Sequence, residues 1–253
     1  MKAAVLISGR PRFTKDFDNL IHCFEEYDQI DWFIHVWKSD HSTDMCVPPS
    51  WNNERHDFYR KLINSLPKNN YVAHIDIVDE PVFDTSKHYY EITKESNYGP
   101  AAWAMFNGFK QVNSIREKYE SVFGEYDLVI RARGDCSLTN ILYLNRVNQY
   151  LTPLTEKTII MPDSGRLGFV PYGMTLNPVN DQFAIGKSSV MSIYFNVFDN
   201  IDQYTQEGIP FTGESMLGYH LLKNNILTPP GGFEAILKQH KLADQTVDFG
   251  RWI

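Results

Sequence analysis

The segment 3–8 is apolar up to Ile7 and is closed by the sequence SGRPR (8–12), which contains Gly9, Arg10 and Arg12. A guanidinium group pairs bidentately with phosphate or carboxylate, and backbone N–H groups in front of a helix also attract anions. These residues therefore predict a site for an anionic ligand. They are equally compatible with a surface loop whose arginines are solvated. The spaced glycines of a Walker loop or a dinucleotide-binding fingerprint are missing.

A second apolar segment, 126–133, carries Arg131 and Arg133 at its end and is followed closely by Asp135. A carboxylate after a strand can hold a divalent cation, and a cation together with arginines can neutralise a diphosphate leaving group. The structural alternative is an ion pair between arginine and aspartate that closes the strand. The residues favour the first interpretation.

Two carboxylates in the second half of the chain lie at the edges of predicted elements, Asp181 in NDQFAIG and Glu214 in FTGESM. A carboxylate in a cleft can deprotonate an attacking hydroxyl or orient a sugar. Glu214 also suits the first turn of a helix, where an acidic side chain interacts well with the helix dipole. Asp181 is therefore the better candidate for a catalytic base. His35, in the middle of FIHVW, is more typical of a core histidine than of a metal ligand.

The elements that position these residues follow from the spacing of apolar side chains. Strands are predicted at 3–8, 31–37, 71–78, 126–133, 158–161 and 182–185, and helices after Thr14 and at 51–66, 100–123, 188–204 and 213–224. This alternation predicts an α/β fold with a mostly parallel sheet. Ligands of such folds bind at the carboxyl ends of the strands, where the charged residues described above lie.

Composition excludes several classes of partner. The chain has 253 residues and a net charge of −7, which argues against broad binding to nucleic acid or to anionic membranes. Its apolar runs are far shorter than a membrane-spanning helix requires, so no transmembrane segment is expected. Three scattered cysteines predict reduced thiols rather than a disulfide framework, and the first residues do not form a signal peptide. We therefore expect a cytoplasmic protein.

Five segments in order resemble a glycosyltransferase-like family of the GT-A fold, found among bacteria, phages and large DNA viruses: AVLISGRPR, DWFIHVW, YDLVIRARGD, NDQFAIGKSSVM and FTGESMLGYHLL. The resemblance implies a three-layer α/β sandwich with a Rossmann-like, mostly parallel sheet flanked by helices. It implies one domain over 1–253, with a nucleotide-sugar-binding half at 1–135, an acceptor half at 136–225 and an irregular tail at 226–253.

The resemblance also implies a nucleotide-diphosphate sugar as donor and a glycan or other hydroxyl compound as acceptor. Asp135 corresponds to the last aspartate of the Asp-x-Asp motif of the family and would hold Mn²⁺ or Mg²⁺, whereas Arg133 stands where the first aspartate would be. The metal or the arginines would then neutralise the diphosphate. Asp181 is the implied catalytic residue, either as general base or as a sugar-orienting group, and 165–173 is the implied lid or acceptor loop. Glu214 stays a second catalytic candidate on the residue pattern alone. The donor-binding residues implied are Ser8, Gly9, Arg10, Arg12, His35, Trp37, Arg131, Arg133 and Asp135.

The missing first aspartate supports a second hypothesis, a catalytically silent nucleotide- or carbohydrate-binding module of the same fold. A nucleotidyltransferase that makes the activated sugar ranks last, because the longer glycine-rich loop and lysine of that class are absent. The donor base, the sugar, the acceptor and the oligomeric state stay open.

Overall fold

The computed structural model describes residues 1–9, 27–38, 66, 68–84, 86, 87, 89, 98–133, 136–138, 156–162, 179–228, 235–241 and 245–248. The helix predicted after Thr14, all but the last residue of the helix predicted at 51–66, and the glycine-rich stretch 165–173 lie outside these residues.

The main sheet has six strands in the spatial order β3-β2-β1-β4-β7-β6. They are β1 (Lys2–Gly9), β2 (Gln29–Lys38), β3 (Asn70–Asp79), β4 (Leu128–Arg131), β6 (Ile159–Ile160) and β7 (Ala184–Gly186). The strands β1 to β4 are parallel, whereas β7 is antiparallel to both β4 and β6. The structure thus confirms an α/β fold with a mostly parallel sheet.

The central strands are apolar along their length because both faces of the sheet are covered. The five residues of β1 from Ala3 to Ile7 are at most 3% exposed. Such uninterrupted apolar runs are typical of parallel strands that are buried on both faces. Leu6 lies between Phe33 of β2 and Arg131 of β4 in the register of the sheet.

Four helices are described, α1 (Tyr98–Phe123), α2 (Ser188–Phe195), α3 (Ile201–Gln206) and α4 (Gly213–Lys223). The face of α1 that carries Phe106, Phe109 and Val112 is fully buried in the core. The prediction of one continuous helix over 188–204 is wrong, because a 3₁₀ helix (Asn196–Asn200) separates α2 from α3. Here the Asn200 side chain donates to the carbonyl oxygen of Asn196 at 3.4 Å, a local bond that competes with regular helix.

The prediction of an irregular tail is also wrong in part. The strands β8 (Ala235–Lys241) and β9 (Gln245–Asp248) form an antiparallel pair, and β8 also pairs with β5 (Cys136–Leu138). The partner strand lies about a hundred residues earlier in the chain, so local patterning of the tail does not reveal the pairing. Among the described residues, no helix is long and apolar enough to cross a membrane.

Candidate functional site

The candidate site lies where the strand order of the main sheet reverses. From β1 the chain adds β2 and β3 on one side, and β4 then pairs with the other side of β1. Such a reversal leaves a crevice at the carboxyl ends of the two strands. We call the edge of the sheet at which β1 to β4 end the carboxyl edge. Because β7 is antiparallel to β4, the start of β7 also lies at this edge.

Several of the residues predicted from the sequence reach the carboxyl edge. Ser8 and Gly9 end β1, Arg131 ends β4 with Arg133 just beyond it, and Asp181 precedes β7. Glu214 lies in the first turn of α4 and interacts electrostatically with Asp181 and Arg133. The predicted residues Arg10, Arg12 and Asp135 lie outside the described residues.

Arg131 is held against an aromatic ring in the interior. Its side chain is almost fully buried, and its Cζ atom lies 4.8 Å from the centroid of the Phe109 ring. Phe109 stacks in turn with Tyr194 of α2, at 5.5 Å between centroids. A guanidinium over an aromatic face is attracted by the negative face of the ring. The cation at the end of β4 is therefore oriented by the helices α1 and α2.

Tyr194 belongs to the same buried group, although nothing in the sequence distinguishes it from a core aromatic residue. Burial raises the pKa of the Tyr194 phenol; the charge of Arg131 opposes this shift and that of Asp181 adds to it. Within the described part of the chain, the buried Tyr194 hydroxyl has no hydrogen-bond partner. Tyr194 thus connects the arginine of β4 electrostatically with the carboxylate that precedes β7.

Asp181 lies against the start of α4. It is 9% exposed, and its Oδ2 atom is 2.8 Å from the position that a Cβ atom would take on Gly213. The helix begins after Thr212, whose hydroxyl accepts a hydrogen bond from the backbone N–H of Ser215 at 3.2 Å. Ser, Thr, Asp and Asn favour this capping position because their side chains satisfy an otherwise free N–H. The cap fixes the first turn of α4 beside Asp181.

Asp181 and Glu214 form a carboxylate pair. Burial raises the pKa of Glu214, and the charge of Asp181 raises it further, whereas Thr212 and Arg133 act in the opposite direction. Glu214 therefore keeps its proton to higher pH than an ordinary glutamate. Pairs of carboxyl groups with unequal environments are typical of acid–base sites. The structure brings together the two residues that the sequence singled out as catalytic candidates.

Buried polar atoms lie at the ends of β1 and β2. Gly9 has a φ of +105°, a conformation that strongly favours glycine, and a Cβ there would lie 4.0 Å from the Trp37 ring. The Trp37 Nε1 and Ser8 Oγ atoms are buried and have no hydrogen-bond partner among the residues that the structure describes. Buried polar groups are usually paired, so these two atoms indicate positions where a ligand or water can bind.

His35, opposite Ser8 in the register, faces β3 instead. Its Nδ1 atom lies 3.2 Å from Asp76 Oδ2. Burial lowers the pKa of the imidazole, although the Asp76 carboxylate acts in the opposite direction. The neutral ring bonded to Asp76 agrees with the interpretation of His35 as a core histidine.

The described residues do not by themselves supply a metal site. Among them, no group of three or more His, Cys, Asp or Glu side chains could hold a metal ion. Arg131 and Arg133 offer only N–H donors, which cannot ligate a cation. The assignment of Asp135 as a ligand for Mn²⁺ or Mg²⁺ stays a prediction, since that residue lies outside the described residues.

Comparison with known proteins finds no matching family model and no matching curated protein. The fold and the site define an α/β protein with two arginines and a carboxylate pair at the reversal point of its sheet.

Proposed function

We propose that the protein is a glycosyltransferase that moves a sugar from a nucleotide-diphosphate sugar to a hydroxyl acceptor. The observation that carries the proposal is the position of the buried Arg131 at the reversal point of the sheet, on the same edge as Asp181. The mostly parallel six-stranded sheet supports the α/β architecture that the family resemblance implies.

The arginines suit the diphosphate of the donor. Arg131 is buried and oriented by Phe109, while Arg133 is half-buried and acts on Glu214. A planar guanidinium binds phosphate oxygens bidentately, and the attraction is stronger in a site of low dielectric constant than in water. When the bond to the sugar breaks, negative charge grows on the departing nucleoside diphosphate. Fixed positive charge at that position stabilises the transition state more than the ground state.

The carboxylate pair suits the acceptor. Asp181 accepts the proton of the acceptor hydroxyl while the oxygen of that hydroxyl attacks the anomeric carbon of the donor sugar. The new carbon–oxygen bond forms while the bond between that carbon and the diphosphate oxygen breaks, and the diphosphate leaves with the electron pair. Glu214, with its raised pKa, donates a hydrogen bond to a sugar hydroxyl. A divalent cation held by Asp135 would supply additional positive charge to the same diphosphate.

The proposal is tested by the release of nucleotide from UDP, GDP and dTDP sugars, with a CMP sugar for comparison. Each is incubated with the protein in the presence of Mn²⁺ and in the presence of a chelator. We expect turnover of one donor, reduced at least about a hundredfold in Asp181→Asn, because an oriented base contributes on the order of 10²–10⁴ to the rate. Arg133→Ala should raise the KM for the donor.

Lys187→Ala is the matched control for the arginine variant. Lys187 directly follows β7, so it lies at the opposite edge of the sheet, and its exposed side chain pairs with Glu156 at 3.0 Å. Removing this cation should leave donor turnover unchanged. Equal effects of Arg133→Ala and Lys187→Ala would contradict the site assignment.

The silent binding module is the second candidate, because Arg133 stands at the position of the first acidic residue of the metal-binding motif. This hypothesis predicts that a nucleotide sugar raises the melting temperature, since a ligand of the native state stabilises it, without any release of nucleotide. Measurable turnover of a donor rejects this second candidate.

A further inference from the structure

The first residue of α4 is a glycine whose backbone does not require one. Gly213 is absent from the glycines with positive φ, which in the described part of the chain are Gly9, Gly124 and Gly208. Alanine favours helical structure over glycine at such positions. The reason for a glycine here must therefore lie in its neighbours.

Those neighbours are Asp181 and Met105. A Cβ on residue 213 would lie 2.8 Å from Asp181 Oδ2, 3.0 Å from Met105 Cε and 3.6 Å from Asp181 Cγ. Real Cβ atoms essentially never approach another heavy atom to less than 3.0 Å, so the carboxylate would have to move. Met105 Cε ends a flexible side chain and is displaced easily.

We propose that Gly213 is a positioning residue for Asp181, resting on the proposed function in which Asp181 is the base. The missing side chain lets the first turn of α4 approach the Asp181 carboxylate and hold it beside Glu214, at the carboxyl edge. A side chain on residue 213 rotates the carboxylate away from this position while the backbone of α4 stays in place. A displacement of about 1 Å in a catalytic group can reduce the rate about a hundredfold.

The contact itself is tested by thermal unfolding of the wild type, Gly213→Ala, Asp181→Ala and the double variant. Alanine at 213 should raise the Tm, or leave it unchanged, in the Asp181→Ala background, because only the gain in helix propensity then remains. In the wild-type background, the change in Tm caused by Gly213→Ala should be more negative than the change it causes in the Asp181→Ala background. In a Met105→Ala background the shift should equal that in the wild type. A shift of Gly213→Ala that is the same with and without Asp181 overturns the proposal.

The positioning role is tested by kinetics with the nucleotide sugar that the wild type turns over. We expect Gly213→Ala to lower kcat at least about tenfold with the donor KM within about twofold, because the base is displaced while the diphosphate site is intact. A purely structural role of Gly213 would move the Tm alone, so an unchanged kcat overturns the proposal. If the wild type turns over no donor, the proposed function fails, and the Tm comparison alone decides whether Gly213 holds Asp181.

Discussion

The Cζ atom of Arg131 lies 4.8 Å from the centroid of the Phe109 ring. The arginine ends β4, and the phenylalanine lies on the buried face of α1, so the contact joins the sheet to the helix that covers it. The same ring also stacks with Tyr194, whose pKa is affected by the charges of both Arg131 and Asp181. An aromatic core residue thus connects the two charged parts of the candidate site.

Phe109→Leu tests whether this ring orients Arg131. The variant keeps an apolar side chain but removes the aromatic face, so donor affinity should fall about three- to tenfold, as expected for the loss of a cation–π contact. The free energy of unfolding should fall by about 1–3 kcal/mol because the core is less well filled. Phe106→Leu is the matched control, since Phe106 is equally buried on the same helix. It should lower stability similarly and leave donor affinity unchanged. Urea unfolding measures the stability, and isothermal titration with the donor measures the affinity.

Glu214→Gln tests the environment of the carboxylate pair. A folded-state pKa above the ordinary value of 4.5 means that Glu214 contributes stability below pH 4.5 and loses it as pH rises through the raised pKa. The stability of Glu214→Gln relative to the wild type should therefore increase as pH rises above 4.5. Urea unfolding at a series of pH values measures this difference.

Asp181→Asn is the matched variant for that experiment. The Asp181 charge is the second cause of the raised pKa of Glu214, after burial. Removing this charge should lower the pKa of Glu214 toward the ordinary value. The change with pH in the stability difference between the Glu and Gln forms of residue 214 should then be smaller, and a part should remain because Glu214 is still buried. A wild-type pH dependence that survives Asp181→Asn in full would show that the two carboxylates do not interact.

His220 makes stability depend on pH near neutrality. Its Nε2 atom lies 2.8 Å from the carbonyl oxygen of Ile193, so Nε2 carries the proton, and Nδ1 accepts from the Tyr204 hydroxyl at 2.8 Å. Burial lowers the pKa of His220 below 6.5. The imidazole therefore binds a second proton more readily in the unfolded chain than in the folded protein. The stability present above pH 6.5 is lost as pH falls through the folded-state pKa.

Substitution of His220 by glutamine should make the decline in unfolding free energy between pH 7 and pH 5 shallower. Tyr204→Phe removes a hydrogen bond without removing a group that titrates between pH 5 and pH 7, since burial raises the pKa of Tyr204 to about 12. It should lower stability by about 1 kcal/mol at both pH values and keep the wild-type slope. Urea titrations of the three proteins at pH 5 and pH 7 measure these free energies of unfolding. If the free energy of unfolding of His220→Gln falls with pH as steeply as that of the wild type, His220 is not the source of the pH dependence.

Arg116 of α1 forms hydrogen bonds to α2, the helix that carries Tyr194. Its buried guanidinium donates to Glu120 at 2.9 Å and to Ser192 at 2.6 Å, and it also contacts Ser188. Arg116→Met should lower the free energy of unfolding by about 3–5 kcal/mol, because it leaves the largely buried Glu120 without its counter-charge. The double variant Arg116→Met with Glu120→Met should recover much of this loss in chemical denaturation. Failure to recover would show that the charge of Glu120 is not the cause.

Local patterns of apolar residues were sufficient to predict most described elements of the main sheet. The predicted strands at 3–8, 31–37 and 71–78 agree with β1, β2 and β3 to within two residues. Prediction was wrong where short polar side chains or distant partners decide the structure, as in the 3₁₀ helix (Asn196–Asn200) and in the pairing of β8 with β5.

The order of apolar residues alone predicts the carboxyl ends of β1, β2 and β3 to within one residue, because a strand that is buried on both faces ends where its apolar run stops. The strand β4 ends at Arg131, two residues before its predicted end. The position of Asp181 at the same edge as Arg131 follows from the three-dimensional fold, because a short apolar run does not reveal the direction of its strand and β7 is antiparallel to β4. Likewise, Phe109, Tyr194 and Gly213 look like ordinary core or helix residues in the sequence. Their relation to the site depends on contacts between segments far apart in the chain, which form only when helices pack on the sheet.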